Sequence, residues 1–203
     1  MLRQLPNFLT LSRILVIPVF VAAFMLPGAW GNWVSFALFS AAGLTDYFDG
    51  YLARRSRVTS ALGRFLDPVA DKLLVATAVL LLVSECCAPL LPALVILCRE
   101  LLVSGLREFL AGLRVSVPVS RLAKWKTAIQ MVALGVLLVG DAGAALVPAA
   151  VDLTLVGGVL LWVAAALTLV TGYGYLWVGL RHMIAPPAAA KGAPRSFGSD
   201  AVG

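Results

Sequence analysis

Six apolar stretches, each close to the length that crosses a bilayer, set the terms for this chain. They run Phe8–Leu26, Trp33–Arg55, Ala61–Val83, Leu90–Leu113, Ala123–Gly140 and Leu153–Leu180. A spanning helix needs about 20 mostly apolar residues, and inside lipid only a helix or a closed barrel satisfies its own backbone. Short turns carrying Pro, Gly or Asn separate the stretches, at 27–32, 88–89 and 141–143. Composition agrees. The chain is 61% hydrophobic and 13% charged over 203 residues, against about 45–50% and roughly 25% in soluble domains. Its mean hydropathy is +0.97. An ordinary soluble enzyme and a disordered chain are both excluded. The expected fold is all-α: a polytopic membrane protein with six transmembrane helices and a short interfacial N-terminal segment, Leu2–Leu9, that contains Pro6. One membrane domain covers residues 1–185, and a disordered tail rich in Ala, Pro, Gly and Ser covers 186–203.

The charges give this bundle an orientation. Sixteen basic residues against ten acidic ones leave +6. Arg3 and Arg13 open the first stretch. Arg54, Arg55, Arg57, Arg64 and Lys72 surround the second–third connection. Arg99, Arg107, Arg114, Arg121, Lys124 and Lys126 surround the fourth–fifth, and Arg181, Lys191 and Arg195 follow the sixth. The other three connections hold no Lys or Arg, only Glu85, Asp141 and Asp152. By the positive-inside rule both termini are expected in the cytoplasm. The surplus therefore reports topology rather than nucleic-acid binding. Small residues between Ala22 and Ala29 could suit signal cleavage, but losing the first stretch would leave five helices and set the charges against the topology. Cys86, Cys87 and Cys98 form no CxxC pair and have no histidine partners, so neither a zinc site nor a disulfide framework is indicated. The adjacent Cys86 and Cys87 are read as small apolar fillers, with a strained disulfide as the alternative.

Charges inside a span are costly and mark function. Asp46 and Asp49 lie in the second stretch, with Gly50 and Ala53 on their stripe; Gly63, Asp67 and Asp71 follow one another by four in the third. At about 100° per residue each acidic pair shares a face with small residues that admit a ligand close to the backbone. A tight connection at residues 57–60 makes the two helices antiparallel neighbours, so four carboxylates converge in the cytoplasmic third of the membrane. Unneutralised, they would repel strongly. All-oxygen donors point to a hard divalent ion such as Mg²⁺, which shares its shell with substrate phosphate, and four carboxylates suffice for two bridged ions. Read from residues alone, each aspartate is equally a cap or an ion-pair partner of Arg54, Arg64 or Lys72. The set also admits a cation transporter or a purely structural scaffold.

With its spacings matched throughout, the run Asp46, Asp49-Gly50, Ala53-Arg54, Gly63, Asp67, Asp71 resembles the signature of the CDP-alcohol phosphotransferase family, D-x2-D-G-x2-A-R-x8-G-x3-D-x3-D. The resemblance covers nearly the whole chain. It implies six helices, a homodimer, a metal site open to the cytoplasm, a place in the inner (plasma) membrane of a bacterium, and transfer of a phosphatidyl or similar group from a CDP-linked donor to an alcohol with release of CMP. Carried onto this sequence, Asp46, Asp49, Asp67 and Asp71 would bind two ions, Mg²⁺ or Mn²⁺, and Asp71 would also take the acceptor's proton. Gly50, Ala53, Arg54, Ser60 and Gly63 would contact the CDP-lipid, as would Asn7 and Thr10.

Further elements resemble the branch of the family that uses sn-glycerol 3-phosphate with CDP-diacylglycerol. These are Leu5–Leu11 with Arg13, Arg99-Glu100, the run Ser104–Glu108, Val117–Ser120, Lys124–Thr127 and Gln130-Met131. A phosphorylated acceptor accounts for a second cationic cluster, Arg99, Arg107 and Lys124, because a dianion needs donors apart from the metals. Glu100 and Arg107, seven apart, offer an internal ion pair instead, and Lys126 an interfacial anchor. Inositol, inositol phosphate, serine and phosphatidylglycerol are the alternative acceptors. No activated Ser, His or Cys lies on the acidic stripes, which favours direct displacement over a covalent intermediate.

Overall fold

The computed structural model describes residues 5–56, 61–112, 115, 121–148 and 151–184. For residues 5–13, 46–56, 61–68, 71, 178 and 182–184 it describes the helix but not the side chain. Among the described residues there is no strand. Six α-helices follow in order: α1 (Leu5–Phe24), α2 (Ala29–Ser56), α3 (Ala61–Ser84), α4 (Leu90–Gly112), α5 (Arg121–Val139) and α6 (Leu153–Ile184). Each coincides with one apolar stretch, within a few residues at either end. The regions Arg121–Leu146 and Leu153–Arg181 are long and apolar enough to cross a membrane. The tail at 186–203 and the connection at 57–60 lie outside the described residues.

Three boundaries differ from the sequence reading. α1 begins at Leu5 and runs unbroken to Phe24, so residues 5–9 are the first turns of one helix rather than a separate lead-in. Pro6 fits there because the amide it lacks has no intrahelical acceptor in the first turn. α2 begins at Ala29, four residues early. A side chain at Gly31 would collide with the Leu26 carbonyl, so the tight α1–α2 corner depends on this glycine. The turn expected at 141–143 folds as a 3₁₀ helix, Gly140–Leu146. Gly140 takes φ +44° where the chain leaves α5, and the Asn32 amide donates to the last α5 carbonyls, Leu138 at 3.0 Å and Val139 at 3.3 Å.

The core draws on every helix: Phe20, Phe39, Leu74, Val79, Leu82, Ile96, Leu134, Leu137 and Leu161 are fully buried or nearly so. α6 packs most extensively on α5 and then α4, while α1 packs on α2 and α3. Small residues on α6 allow this approach. A Cβ at Gly157 would run into Leu137 and one at Gly179 into Leu106. Gly172 lies against Arg99 and Gly179 against Leu106, so α4 and α6 run parallel. The outer faces stay apolar, with Leu15, Leu80, Leu101, Leu155 and Val170 all exposed. Hydroxyls on these faces bond within their own helices, Thr45 to the Ala41 carbonyl and Thr77 to that of Leu73, both at 2.7 Å. This pattern suits lipid rather than water.

Two caps define helix ends. Asp152 Oδ1 accepts from the amides of Thr154 at 2.8 Å and Leu155 at 3.1 Å, an N-cap for α6. At the end of α3 the Cys87 amide reaches the Leu82 carbonyl at 2.9 Å and the Cys86 amide that of Val83 at 3.1 Å. This is a Schellman turn with Cys86 in the position that favours glycine, at φ 56°. Cys86→Gly is therefore expected to stabilise the protein by about 1 kcal/mol, read as a Tm rise of about 2–4 °C in a thermal scan. The adjacent cysteines are both free thiols. Burial, and then the negative charges of Glu85 and Asp141, raise the Cys87 thiol above its ordinary value, which leaves little reactive thiolate at neutral pH.

Candidate active site

The acidic motif falls on two uninterrupted helices. Asp46 and Asp49 are on α2, Asp67 and Asp71 on α3. At 1.5 Å per residue, Asp49 lies about 10 Å from the α2 end at Ser56, and Asp67 about 9 Å from the α3 start at Ala61. Asp46 and Asp71 each lie about 15 Å from those same ends. Counted along the helices from those two ends, Asp49 pairs with Asp67 and Asp46 with Asp71. As a donor set, four carboxylates with nothing softer would suit a hard ion such as Mg²⁺ or Mn²⁺. The side chains of the four aspartates, and of Asn7, Thr10, Ala53 and Arg54, lie outside the described residues, as do Ser60 and the surroundings of Gly50 and Gly63.

A second polar group is described in full, between α4, α5 and α6. The Arg99 guanidinium lies 3.3 Å from the Glu100 carboxylate and donates to Thr171 Oγ1 at 3.1 Å. Lys126, from α5, pairs with the same Glu100 oxygen. Lys126 is 3% exposed, so it is not the interfacial anchor suggested by its place near the start of a span. The Glu100 carboxylate facing its ammonium offsets part of the cost of burying it. Glu100 is engaged here, and Arg107 instead sets its guanidinium 6.0 Å from the Tyr175 ring centre on α6. Arg107 and Lys124 are exposed. The cluster thus unites Arg99 with Glu100 and Lys126, while Arg107 lies about two turns further along α4.

Three buried polar atoms near this region have no hydrogen-bond partner among the described residues: Arg99 Nε, Gln130 Oε1 and Thr168 Oγ1. Gln130 follows Lys126 by one turn on α5, on the stripe that continues through Ala133, Leu134 and Leu137. A helical-face reading of α5 would have placed Lys126 and Gln130 inward. By contrast, the groove between α4 and α6 lined by Leu101, Leu102, Gly105, Phe109, Leu176 and Leu180 is almost wholly apolar and offers no chemistry.

The model of the CDP-alcohol phosphatidyltransferase family matches residues 3–170, which takes in α1 to α5 and most of α6. The chain belongs to that family. Among curated relatives, the CDP-diacylglycerol–glycerol-3-phosphate 3-phosphatidyltransferase of Rickettsia felis is 47% identical over 173 residues, 85% of this chain and 93% of that one. The protein of the same name from Pseudomonas fluorescens is 42% identical over 185 residues, 89% and 92% of the two chains. That of Salmonella typhimurium is 48% identical over 139 residues, 66% and 76%. Membership of the phosphatidyltransferase family bears out the resemblance read from the acidic motif. It also removes the transporter and scaffold readings, which gave no reason for Gly50, Ala53 and Gly63 at their spacings.

Proposed function

We propose that this chain transfers the phosphatidyl group of CDP-diacylglycerol to sn-glycerol 3-phosphate, giving phosphatidylglycerophosphate and CMP. The observation that carries the reading is the relatives' shared name, over nearly the full length of both chains. The fully spaced acidic motif on α2 and α3 supports the chemistry.

In this mechanism Asp71 takes the proton from the 1-hydroxyl of the acceptor. The freed oxygen attacks the β-phosphorus, a P–O bond forms to the acceptor, and the P–O bond to CMP breaks. Arg54 holds the diphosphate and stabilises the charge that gathers on CMP. Gly50, Ala53 and Gly63 leave room for the nucleotide beside the helices, and Asn7, Thr10 and Ser60 hydrogen-bond it. Asp46, Asp49, Asp67 and Asp71 would hold two divalent ions, which supply charge neutralisation at the transferring phosphoryl group. Arg99 and Lys126, which share the Glu100 carboxylate, bind the acceptor's phosphate, and the exposed Arg107 and Lys124 add positive charge that draws it in.

Six spanning helices with both termini and the site on the cytoplasmic side of a bacterial membrane suit water-soluble acceptor and CMP together with a lipid donor that enters sideways. The parallel run of α4 and α6 and the basic residues gathered at one set of connections support that topology. The homodimer rests on the family resemblance. A panel of acceptors offered with CDP-diacylglycerol decides the alcohol: CMP release is expected with glycerol 3-phosphate and not with inositol, inositol phosphate, serine or phosphatidylglycerol.

A further inference from the structure

We propose that Glu100 is a positioning residue for the acceptor's phosphate: its carboxylate gathers the Arg99 guanidinium and the Lys126 ammonium at the junction of α4, α5 and α6 and holds them oriented for a phosphate monoester. The proposal rests on the acceptor reading above and adds to it a residue of the wrong charge for binding an anion.

Lys126 has 4% of its side chain exposed and Arg99 13%, while Glu100, at 25%, is the most open of the three. Arg99 is braced from the other side by α6. Thr171 Oγ1 accepts from it at 3.1 Å, and a Cβ at Gly172 would come within 3.1 Å of its Cγ and Nε. Thr171 is itself oriented, donating to the Leu167 carbonyl at 2.8 Å. Stability alone does not account for such an arrangement, because well-packed apolar side chains of the same volume are commonly as stable as a buried ion cluster. The groups it leaves over suit a polyol phosphate. The charges of Arg99, Lys126 and Glu100 sum to +1; among the described residues, Arg99 Nε and the Thr168 hydroxyl are buried donors without acceptors, and Gln130 Oε1 is a buried acceptor without a donor. Two long cationic side chains lose considerable rotamer freedom when they grip a dianion. A carboxylate that fixes both beforehand removes much of that loss from the binding step.

The test uses the full-length protein in detergent–lipid micelles, with kcat and both KM values measured for Glu100→Gln, Glu100→Asp and Lys126→Met. Glu100→Gln is expected to raise the KM for glycerol 3-phosphate about tenfold, the order of one charge-assisted hydrogen bond. The KM for CDP-diacylglycerol and kcat should stay within about twofold of the parent. Glu100→Asp, which keeps the charge one methylene back, should fall between them and serves if the glutamine variant does not fold. If Lys126→Met raises that KM while both Glu100 variants leave it unchanged, the positioning role is wrong and the acceptor reading stands. If none of the three moves it in folded protein, the acceptor reading itself is wrong at this cluster. A lower Tm with both KM values shifted alike marks Glu100 as structural and overturns the proposal.

Discussion

Asp71→Asn is expected to lower the rate of CMP release by about 10³-fold, with Asp67→Asn close behind. Removal of a general base costs about 10²–10⁴, and for Asp71 the same oxygen would also be lost from the metal-binding set. The substitution changes charge but hardly shape, and it falls inside a helix continuous from Ala61 to Ser84. Folding should therefore survive, and circular dichroism of the purified variant should match the parent. A variant at either position with parental turnover would remove the acidic motif from the mechanism.

Removal of divalent metal should have an effect at least as large. A chelator in excess is expected to stop turnover, and Mg²⁺ or Mn²⁺ added beyond the chelator to restore it. The reason is electrostatic. In the proposed site the four carboxylates of α2 and α3 converge within the membrane, where they would repel strongly without a divalent cation. Only a hard ion with an oxygen shell suits that donor set. Because metal bound to native protein stabilises it by mass action, the same titration should raise Tm as the ion is returned. Turnover that is indifferent to the chelator would mean that the aspartates are neutralised by protons or by Arg54 and Arg64 instead.

Much of this architecture could be read from the chain because lipid simplifies the code. Where neither face of a helix meets water, length and continuity of the apolar run mark its extent. The starts of α3, α4 and α6, at Ala61, Leu90 and Leu153, fall where the apolar stretches begin. The acidic motif could be read for a related reason: each charge in an apolar run is conspicuous, and spacings of three and four put the charges on shared faces. Local backbone choices were less legible. Nothing in Gly140–Leu146 distinguishes a 3₁₀ turn from an open one. The left-handed residue at Cys86 runs against the preference for glycine there.

Long-range partners were the least legible of all. Lys126 near the start of an apolar run has the look of a snorkelling anchor, and Glu100 and Arg107, seven apart on one helix, have the look of a pair. Which of them meets which depends on how α4, α5 and α6 pack, and that is set by small residues such as Gly172 and Gly179. Those glycines let α6 approach α4 closely enough to brace Arg99. The sequence signs of this were the four-residue spacing of Lys126 and Gln130 and their place on the core stripe of α5.

The identity of the acceptor is the central claim, and incorporation of labelled glycerol 3-phosphate tests it most directly. The purified protein is given CDP-diacylglycerol, Mg²⁺ and radiolabelled glycerol 3-phosphate in mixed micelles, and the organic phase is resolved by thin-layer chromatography. The expected result is label in a single lipid, phosphatidylglycerophosphate, with one CMP released for each molecule formed. CMP release that does not depend on glycerol 3-phosphate, or equal incorporation of labelled inositol or serine under the same conditions, would contradict it.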